Sequence, residues 1–127
     1  MKKAILVAED DATARGLLVE VLSDIGGWIV TAVDDGAKAL AALDTLHPDL
    51  ILLDVNMPGL DGITVYRQLR TLPGMADVPV LFVTGEPRPR DAAFTGPCRW
   101  LAKPWNVTDL LTAAAELLGG DPAAVLG

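Results

Sequence analysis

Short apolar runs alternate with helical patterns along the whole chain, and this alternation restricts the possible folds more than any other feature. The apolar runs predict strands at about residues 4–8, 28–33, 49–53, 78–83 and 98–102. Apolar residues at helical spacing predict helices at about residues 12–25, 36–47, 62–72 and 106–118. In the first helix, Leu17 and Ile25 fall on the apolar face that we expect to be buried. Strands alternating with helices favour a doubly wound α/β fold with a parallel sheet.

The segment at residues 85–97 departs from this pattern. It contains Pro87, Pro89 and Pro97, and only residues 91–95 have a sequence that could form a helix. Proline lacks the backbone N–H that the interior of a helix needs. We therefore expect a loop or a single distorted turn between the fourth and fifth strands.

The composition fits one globular domain. We assign residues 1–119 of the 127-residue chain to that domain and residues 120–127 to a C-terminal tail. The net charge of −7 argues against binding to DNA or to an anionic membrane, since both require a basic surface. Cys98 is the only cysteine, which excludes an internal disulfide and favours a reducing compartment such as the cytoplasm. No apolar run approaches the ~18 residues of a membrane span.

Acidic residues directly follow two of the predicted strands. Glu9, Asp10 and Asp11 come after the first strand, and Asp54 comes after the third. Ligands of parallel α/β sheets bind beyond the carboxyl ends of the strands, so these carboxylates are expected to converge in one cleft. Carboxylates that share a cleft repel one another unless a cation joins them, and oxygen ligands suit Mg²⁺.

Each of these residues also has a purely structural interpretation. Acids after the first strand could stabilise a helix N-terminus, and Asp54 and Asn56 could belong to a turn. Thr84 and Lys103, which follow the fourth and fifth strands, could be an ordinary strand-end threonine and a solvated lysine. At a shared sheet edge, however, a hydroxyl and an amine could bind a phosphoryl group. Four suitable strand ends together favour a site.

This combination resembles the receiver domains of bacterial response regulators, which have the CheY-like fold. The matching segments, in the family's order, are residues 5–11, 53–62, 83–85 and 101–104. The resemblance implies a flavodoxin-like, five-stranded parallel sheet in the order 2-1-3-4-5. Only residues 85–102 separate Thr84 from Lys103, fewer than is usual in this family, so the fourth helix should be shortened or missing.

The resemblance also implies a phosphorylation site with a metal ion. Asp54 corresponds to the phospho-acceptor of the family. The Mg²⁺ ligands would be Asp10 and Asp54 directly, Glu9 through water, and the backbone carbonyl of Asn56.

Further roles follow from the same resemblance for residues near the last two strands. Thr84 and Lys103 correspond to the residues that bind the phosphoryl group. Trp100 stands where the family has its switch aromatic, which acts together with Thr84. The Lys103–Pro104 peptide bond is expected to be cis.

The implied function is a phosphorylation-activated signalling switch of a two-component system. Such a domain is not an enzyme in the usual sense, because it catalyses only its own phosphoryl transfer and autodephosphorylation. The expected donor is a sensor histidine kinase or a phosphotransfer protein. The sequence leaves the protein target open, and it also leaves open whether the chain forms a homodimer.

Two other functions share some of these sequence features. A receiver could act as a docking module without being phosphorylated, although the full set of site residues argues against that. A phosphohydrolase of the haloacid-dehalogenase type also forms an aspartyl phosphate, but it needs its nucleophile on the first strand and a second Asp where this chain has Asn56. The short tail after Gly119 predicts a stand-alone, single-domain receiver, and a fragment of a hybrid kinase is the alternative.

Overall fold

The computed structural model describes residues 2–90 and 94–126, which form a five-stranded parallel sheet flanked by helices. The strands are β1 (Ala4–Ala8), β2 (Ile29–Val33), β3 (Leu50–Leu53), β4 (Val80–Thr84) and β5 (Cys98–Ala102). They are ordered β2-β1-β3-β4-β5. The predicted sheet and its strand order are therefore confirmed.

Side-chain caps begin the four longer helices. The helices are α1 (Ala12–Glu20), α2 (Gly36–Ala42), α3 (Gly62–Leu69), α4 (Val107–Leu117) and the short α5 (Ala123–Leu126). Helix α1 continues as a π-helical turn over Val21–Ile25. Asp11, Asp35, Asp61 and Asn106 each accept a hydrogen bond from a backbone N–H in the first turn of α1, α2, α3 and α4. These polar caps satisfy donors that a helix start leaves unpaired.

Two helical regions differ from the sequence-based boundaries. The second helix was predicted to reach residue 47 but ends at Ala42, and the chain continues in turns toward Pro48. After Ala42 the backbone tightens, because the N–H groups of Leu43, Asp44 and Thr45 bond the carbonyls three residues earlier rather than four. Residues 120–127, expected as a tail, include α5, whose Val125 packs against the hydrophobic core.

The connection between β4 and β5 contains no helix in its described parts, residues 85–90 and 94–97. The helix considered at residues 91–95 lies largely outside the described residues. In the part of the chain that the structure covers, no helix is long and apolar enough to cross a membrane.

Two hydrophobic cores cover the two faces of the sheet. On one face, Leu6, Leu53 and Phe82 pack with α2 and α3, and on the other, Val7, Leu52 and Leu81 pack with α1 and α4. Alternate residues of a strand point to opposite faces, so the central strands β3 and β4 are buried along their whole length. This rigid sheet holds the carboxyl ends of its strands in fixed positions.

The outward side of α1 is less buried than the sequence predicted. Leu18 is buried as expected, but Leu17 and Ile25 are 50% and 52% exposed. The expectation for Leu17 and Ile25 was wrong because the apolar pattern of α1 is wider than the face that contacts the sheet.

Candidate functional site

The carboxyl ends of β1, β3, β4 and β5 meet around one pocket of about 320 Å³. The residues that line it are Glu9, Asp10, Asp11, Asp54, Asn56, Thr84, Gly85, Glu86 and Lys103. The structure therefore brings the predicted metal, acceptor and phosphoryl-binding residues together. Trp100 is not among the lining residues.

The Lys103 ammonium joins the two buried carboxylates of the pocket. Its Nζ donates to Glu9 Oε1 at 2.5 Å and to Asp54 Oδ2 at 2.8 Å. Glu9 is 1% exposed and Asp54 is 7% exposed, so both carboxylates need a partner that replaces water. The backbone N–H of Lys103 donates to the carbonyl of Thr84, which fixes the lysine at the sheet edge. The Lys103–Pro104 peptide bond is cis.

The loop after β3 orients the second oxygen of Asp54. Oδ1 accepts a hydrogen bond from the backbone N–H of Asn56 at 3.1 Å. The start of α3 packs directly against this loop, since a Cβ atom on Gly62 would lie 2.3 Å from the Asp54 carbonyl oxygen. The Gly62 N–H donates to the Val55 carbonyl at 2.9 Å. Asp54 is thus held from both its side chain and its backbone.

Three carboxylates are close enough to share a cation. Glu9, Asp10 and Asp54 each offer an oxygen atom, and these atoms lie within 4.8 Å of one another. Asp10 is exposed, while the other two are buried. A donor set made only of carboxylate oxygens suits a hard cation such as Mg²⁺ or Ca²⁺. Asn56 borders the same pocket.

The charge state of the pocket follows from burial and from the lysine. Burial tends to raise the pKa of Asp54, but hydrogen bonds from Lys103 and the Asn56 N–H outweigh burial and hold that pKa below its usual value. At Glu9 burial dominates, so its pKa is raised although Lys103 opposes the shift. Burial would lower the pKa of Lys103, but its bonds to Asp54 and Glu9 raise it. Lys103 is therefore protonated and Asp54 is ionised at neutral pH.

Thr84 and Trp100 are linked through the backbone of Glu86. Thr84 is fully buried, and its hydroxyl accepts a hydrogen bond from the Glu86 N–H at 3.2 Å. The Trp100 indole Nε1 donates to the Glu86 carbonyl at 3.0 Å. The indole ring packs on Phe82 with a centroid distance of 4.6 Å. The backbone of one residue, Glu86, thus contacts both predicted switch residues.

Two residues near the site were not singled out by the sequence analysis. Arg15 on α1 donates to the backbone carbonyls of Glu9 and Asp10. Glu86 provides the connection between Thr84 and Trp100. For Arg15 a signal exists, because a long cationic side chain in the first turns of a helix can reach back to the preceding strand end. For Glu86 the contacts use backbone atoms, which leave no side-chain signature.

Comparison with known proteins gives a consistent family match. The sequence profile of the response regulator receiver domain family matches residues 5–115. The DNA-binding dual master transcriptional regulator RpaA of Synechocystis is 36% identical over 117 residues, which cover 90% of this chain and 48% of RpaA. The chain spans about half the length of the curated relatives it matches.

Solved structures share the fold as well. The receiver domain of a signal transduction histidine kinase from Syntrophus aciditrophicus has a TM-score of 0.82 at 30% identity, covering 92% of this chain and 90% of that one. The receiver domain of a sensor histidine kinase from Pseudomonas aeruginosa has a TM-score of 0.82 at 26% identity, covering 94% and 100%. That domain holds a magnesium ion in its active site cleft.

Proposed function

Because the chain belongs to the response regulator receiver domain family, we propose that it accepts a phosphoryl group on Asp54 and acts as a phosphorylation-activated switch. Receiver domains are signalling switches of two-component systems that are phosphorylated on an aspartate by histidine kinases. The observation that carries the assignment to Asp54 is its position. Glu9 and Asp54 are both buried and both contact Lys103, but only Asp54 follows the central strand β3, between Glu9 after β1 and Thr84 at the end of β4. Its pKa is also lowered, whereas that of Glu9 is raised.

In the proposed reaction, an ionised Asp54 oxygen attacks the phosphorus atom of a phosphohistidine. The oxygen–phosphorus bond forms as the bond to the histidine nitrogen breaks, and the histidine keeps the electron pair. Lys103 donates hydrogen bonds to the developing negative charge, and the Thr84 hydroxyl donates to a phosphoryl oxygen. The protein needs to supply only alignment and charge neutralisation.

Glu9, Asp10, Asp54 and the carbonyl of Asn56 would hold Mg²⁺ in this reaction. When bound, the ion offsets the charge of the phosphoryl oxygens and of the clustered carboxylates. The support for this cofactor is the all-oxygen donor set and the excess of carboxylates over cations in the pocket. Autodephosphorylation would use the same groups with water as the acceptor.

The acyl phosphate would change the surface through Thr84 and Lys103. The Thr84 hydroxyl accepts from the Glu86 N–H and has its own proton free to donate, so a Thr84 drawn toward the phosphoryl group would pull on Glu86, while Lys103 would give up part of its contact with the carboxylates. Moving a two-state equilibrium from 1:99 to 99:1 needs about 5.5 kcal/mol. Charge-assisted hydrogen bonds contribute about 1.5–3 kcal/mol each, so two bonds at the upper end of that range or three of about 2 kcal/mol reach that value. The Glu86 peptide and Trp100 are the first groups to respond.

A protein donor is favoured by the surface beside the pocket. An apolar cavity of about 560 Å³ lies next to Lys103, and its walls include the half-exposed Leu17 and Val107. Exposed apolar surface of this kind is typical of protein contacts. We therefore propose a sensor histidine kinase or a phosphotransfer protein as the donor.

We propose the cytoplasm as the location of the protein, because the single Cys98 stays reduced there.

The test is the intact mass of the protein after treatment with acetyl phosphate and MgCl₂. The wild type should gain one phosphoryl group, and Asp54→Asn should gain none because the acceptor oxygen is replaced by an amide. Removal of the metal with EDTA should abolish the gain. Asp61→Asn is the matched control, since Asp61 lies outside the pocket and asparagine also caps helices.

Unchanged labelling of Asp54→Asn would contradict the acceptor assignment. A wild type that is never labelled would favour the docking module that acts without phosphorylation. Steady turnover of p-nitrophenyl phosphate in the presence of MgCl₂ would instead favour a phosphohydrolase.

A further inference from the structure

The three site carboxylates are not oriented in the same way. The Glu9 carboxylate is held by Lys103 and by the Asp11 N–H, and the Asp54 carboxylate is held by Lys103 and the Asn56 N–H. For Asp10, no hydrogen bond reaches the carboxylate from any residue within 2–90 and 94–126. The direction of the Asp10 side chain therefore depends on the backbone that carries it.

Arg15 holds that backbone from α1. Its Nη1 donates to the carbonyl of Glu9 at 2.9 Å and to the carbonyl of Asp10 at 3.3 Å. One guanidinium nitrogen thus bridges two consecutive peptides at the tip of β1. On the other side, the Glu9 N–H donates to the Val33 carbonyl of β2 at 3.1 Å. The turn from β1 into α1 is consequently fixed between β2 and the Arg15 side chain.

We propose that Arg15 is a positioning residue for the cation site, acting through the two peptides that set the direction of the Asp10 carboxylate. The inference rests on the proposed Mg²⁺ site and adds to it a residue that does not contact the ion. Groups that orient metal ligands commonly change metal affinity by about 10–100-fold when they are removed. Arg15 is suited to this role because Nη1 carries two N–H groups and lies at the end of a side chain long enough to reach both carbonyls.

Positioning and charge predict opposite results for Arg15, which makes the inference testable. The positive charge of Arg15 repels a cation bound at the neighbouring carboxylates, so loss of the charge alone should strengthen Mg²⁺ binding. Loss of the two hydrogen bonds should instead let the Asp10 peptide move and weaken binding. The sign of the change in dissociation constant separates the two effects.

The experiment is a titration of ¹⁵N-labelled protein with MgCl₂, followed through the backbone amide shifts of residues 9–11 and 54–56. For Arg15→Met we expect the dissociation constant to rise about tenfold or more. Arg15→Lys keeps the charge and a nitrogen with several donors, but its shorter side chain reaches the two carbonyls less well, so it should give an intermediate constant. Lys38→Met is the matched control, because Lys38 lines the same polar pocket as Arg15 but pairs with Asp34. Its dissociation constant should be unchanged or lower.

A second readout separates positioning from general damage to the fold. In acetyl phosphate labelling, the MgCl₂ concentration for half-maximal rate should rise in Arg15→Met, while the rate at saturating MgCl₂ stays near that of the wild type. An equal or tighter dissociation constant in Arg15→Met would overturn the inference while leaving the proposed function intact. If Arg15→Met does not fold, wild-type affinity in Arg15→Lys would overturn it. A wild type without Mg²⁺ binding would overturn the inference and the proposed cofactor together.

Discussion

At the scale of single residues, one lysine serves two buried acids. Glu9 and Asp54 come from different strand ends, and Lys103 contacts both within 2.8 Å. Two carboxylates with one ammonium leave an excess negative charge when both acids are ionised. That excess lies beside the exposed Asp10, so this edge of the sheet attracts a cation.

Lys103→Ala should destabilise the protein in the absence of metal, because two buried carboxylates then lose their cation. Removing one partner of a fully buried pair costs about 3–5 kcal/mol, and the partial exposure of Lys103 reduces the expected loss to about 2 kcal/mol. Urea unfolding in EDTA measures the effect. Addition of MgCl₂ should stabilise this variant more than the wild type, since the ion replaces the missing positive charge.

The control for this variant is Lys38→Ala, which removes a lysine from an exposed pair with Asp34. Exposed ion pairs contribute little to stability, so no measurable change is expected. Equal unfolding curves for Lys103→Ala and the wild type in EDTA would show that the carboxylates do not depend on the lysine.

At the scale of the elements, the start of α3 determines the shape of the acceptor loop. Asp61 caps the helix by accepting a hydrogen bond from the Thr64 N–H. The next residue, Gly62, lies so close to the Asp54 carbonyl that no side chain fits between them. Helix and loop therefore meet backbone to backbone directly beneath the proposed acceptor.

Gly62→Ala should destabilise the protein and slow the labelling of Asp54. The new Cβ atom would meet backbone atoms of Asp54 and Val55 rather than a flexible side chain. Overpacking of this kind costs about 1–3 kcal/mol. Urea unfolding and the rate of mass gain with acetyl phosphate measure the two effects.

Gly16→Ala provides the same substitution in open space, since a Cβ atom at Gly16 in α1 meets nothing within 4 Å. It should stabilise the protein by about 0.5–1 kcal/mol because alanine favours helices. If both alanine variants had the same stability, the close approach at Gly62 would be unimportant.

At the scale of the whole molecule, Arg70 adds polar contacts between segments that the hydrophobic core already packs together. Its guanidinium donates to the carbonyls of Met75, Val78, Thr95 and Pro97 at distances of 2.6–3.0 Å. It also lies 4.6 Å from the centre of the Tyr66 ring, and the Tyr66 hydroxyl donates to the Thr95 carbonyl. One side chain thus ties α3 to the segments that lead into β4 and β5.

Arg70→Met should lower the free energy of unfolding by about 2 kcal/mol, because several carbonyls lose a charged donor while the aliphatic packing is kept. The matched control is Arg67→Met, one helical turn earlier on the exposed side of α3. Urea unfolding of both variants measures the difference. Similar stability of the two variants would remove Arg70 from this role.

The local elements were largely predictable because their signals are local. Strand runs, the capping residue Asp11 and the acids after β1 and β3 depend on neighbours a few residues away. The end of α2 at Ala42 was predicted wrongly because the apolar pattern continues through Leu43 and Leu46, while the backbone there already forms tighter turns. The burial of Leu17 was predicted wrongly because periodicity indicates which residues share a face, but not how much of that face another element covers.

The sequence by itself determined the fold class, the strand order implied by the family resemblance, and the strand ends at which polar side chains occur. Tertiary structure alone decided the partners of those side chains. Lys103 contacts an acid 94 residues away, Arg70 reaches carbonyls up to 27 residues away, and Trp100 bonds the backbone of Glu86. Such contacts depend on how strands and helices pack in three dimensions, and no periodicity along the chain encodes the distance between residues so far apart.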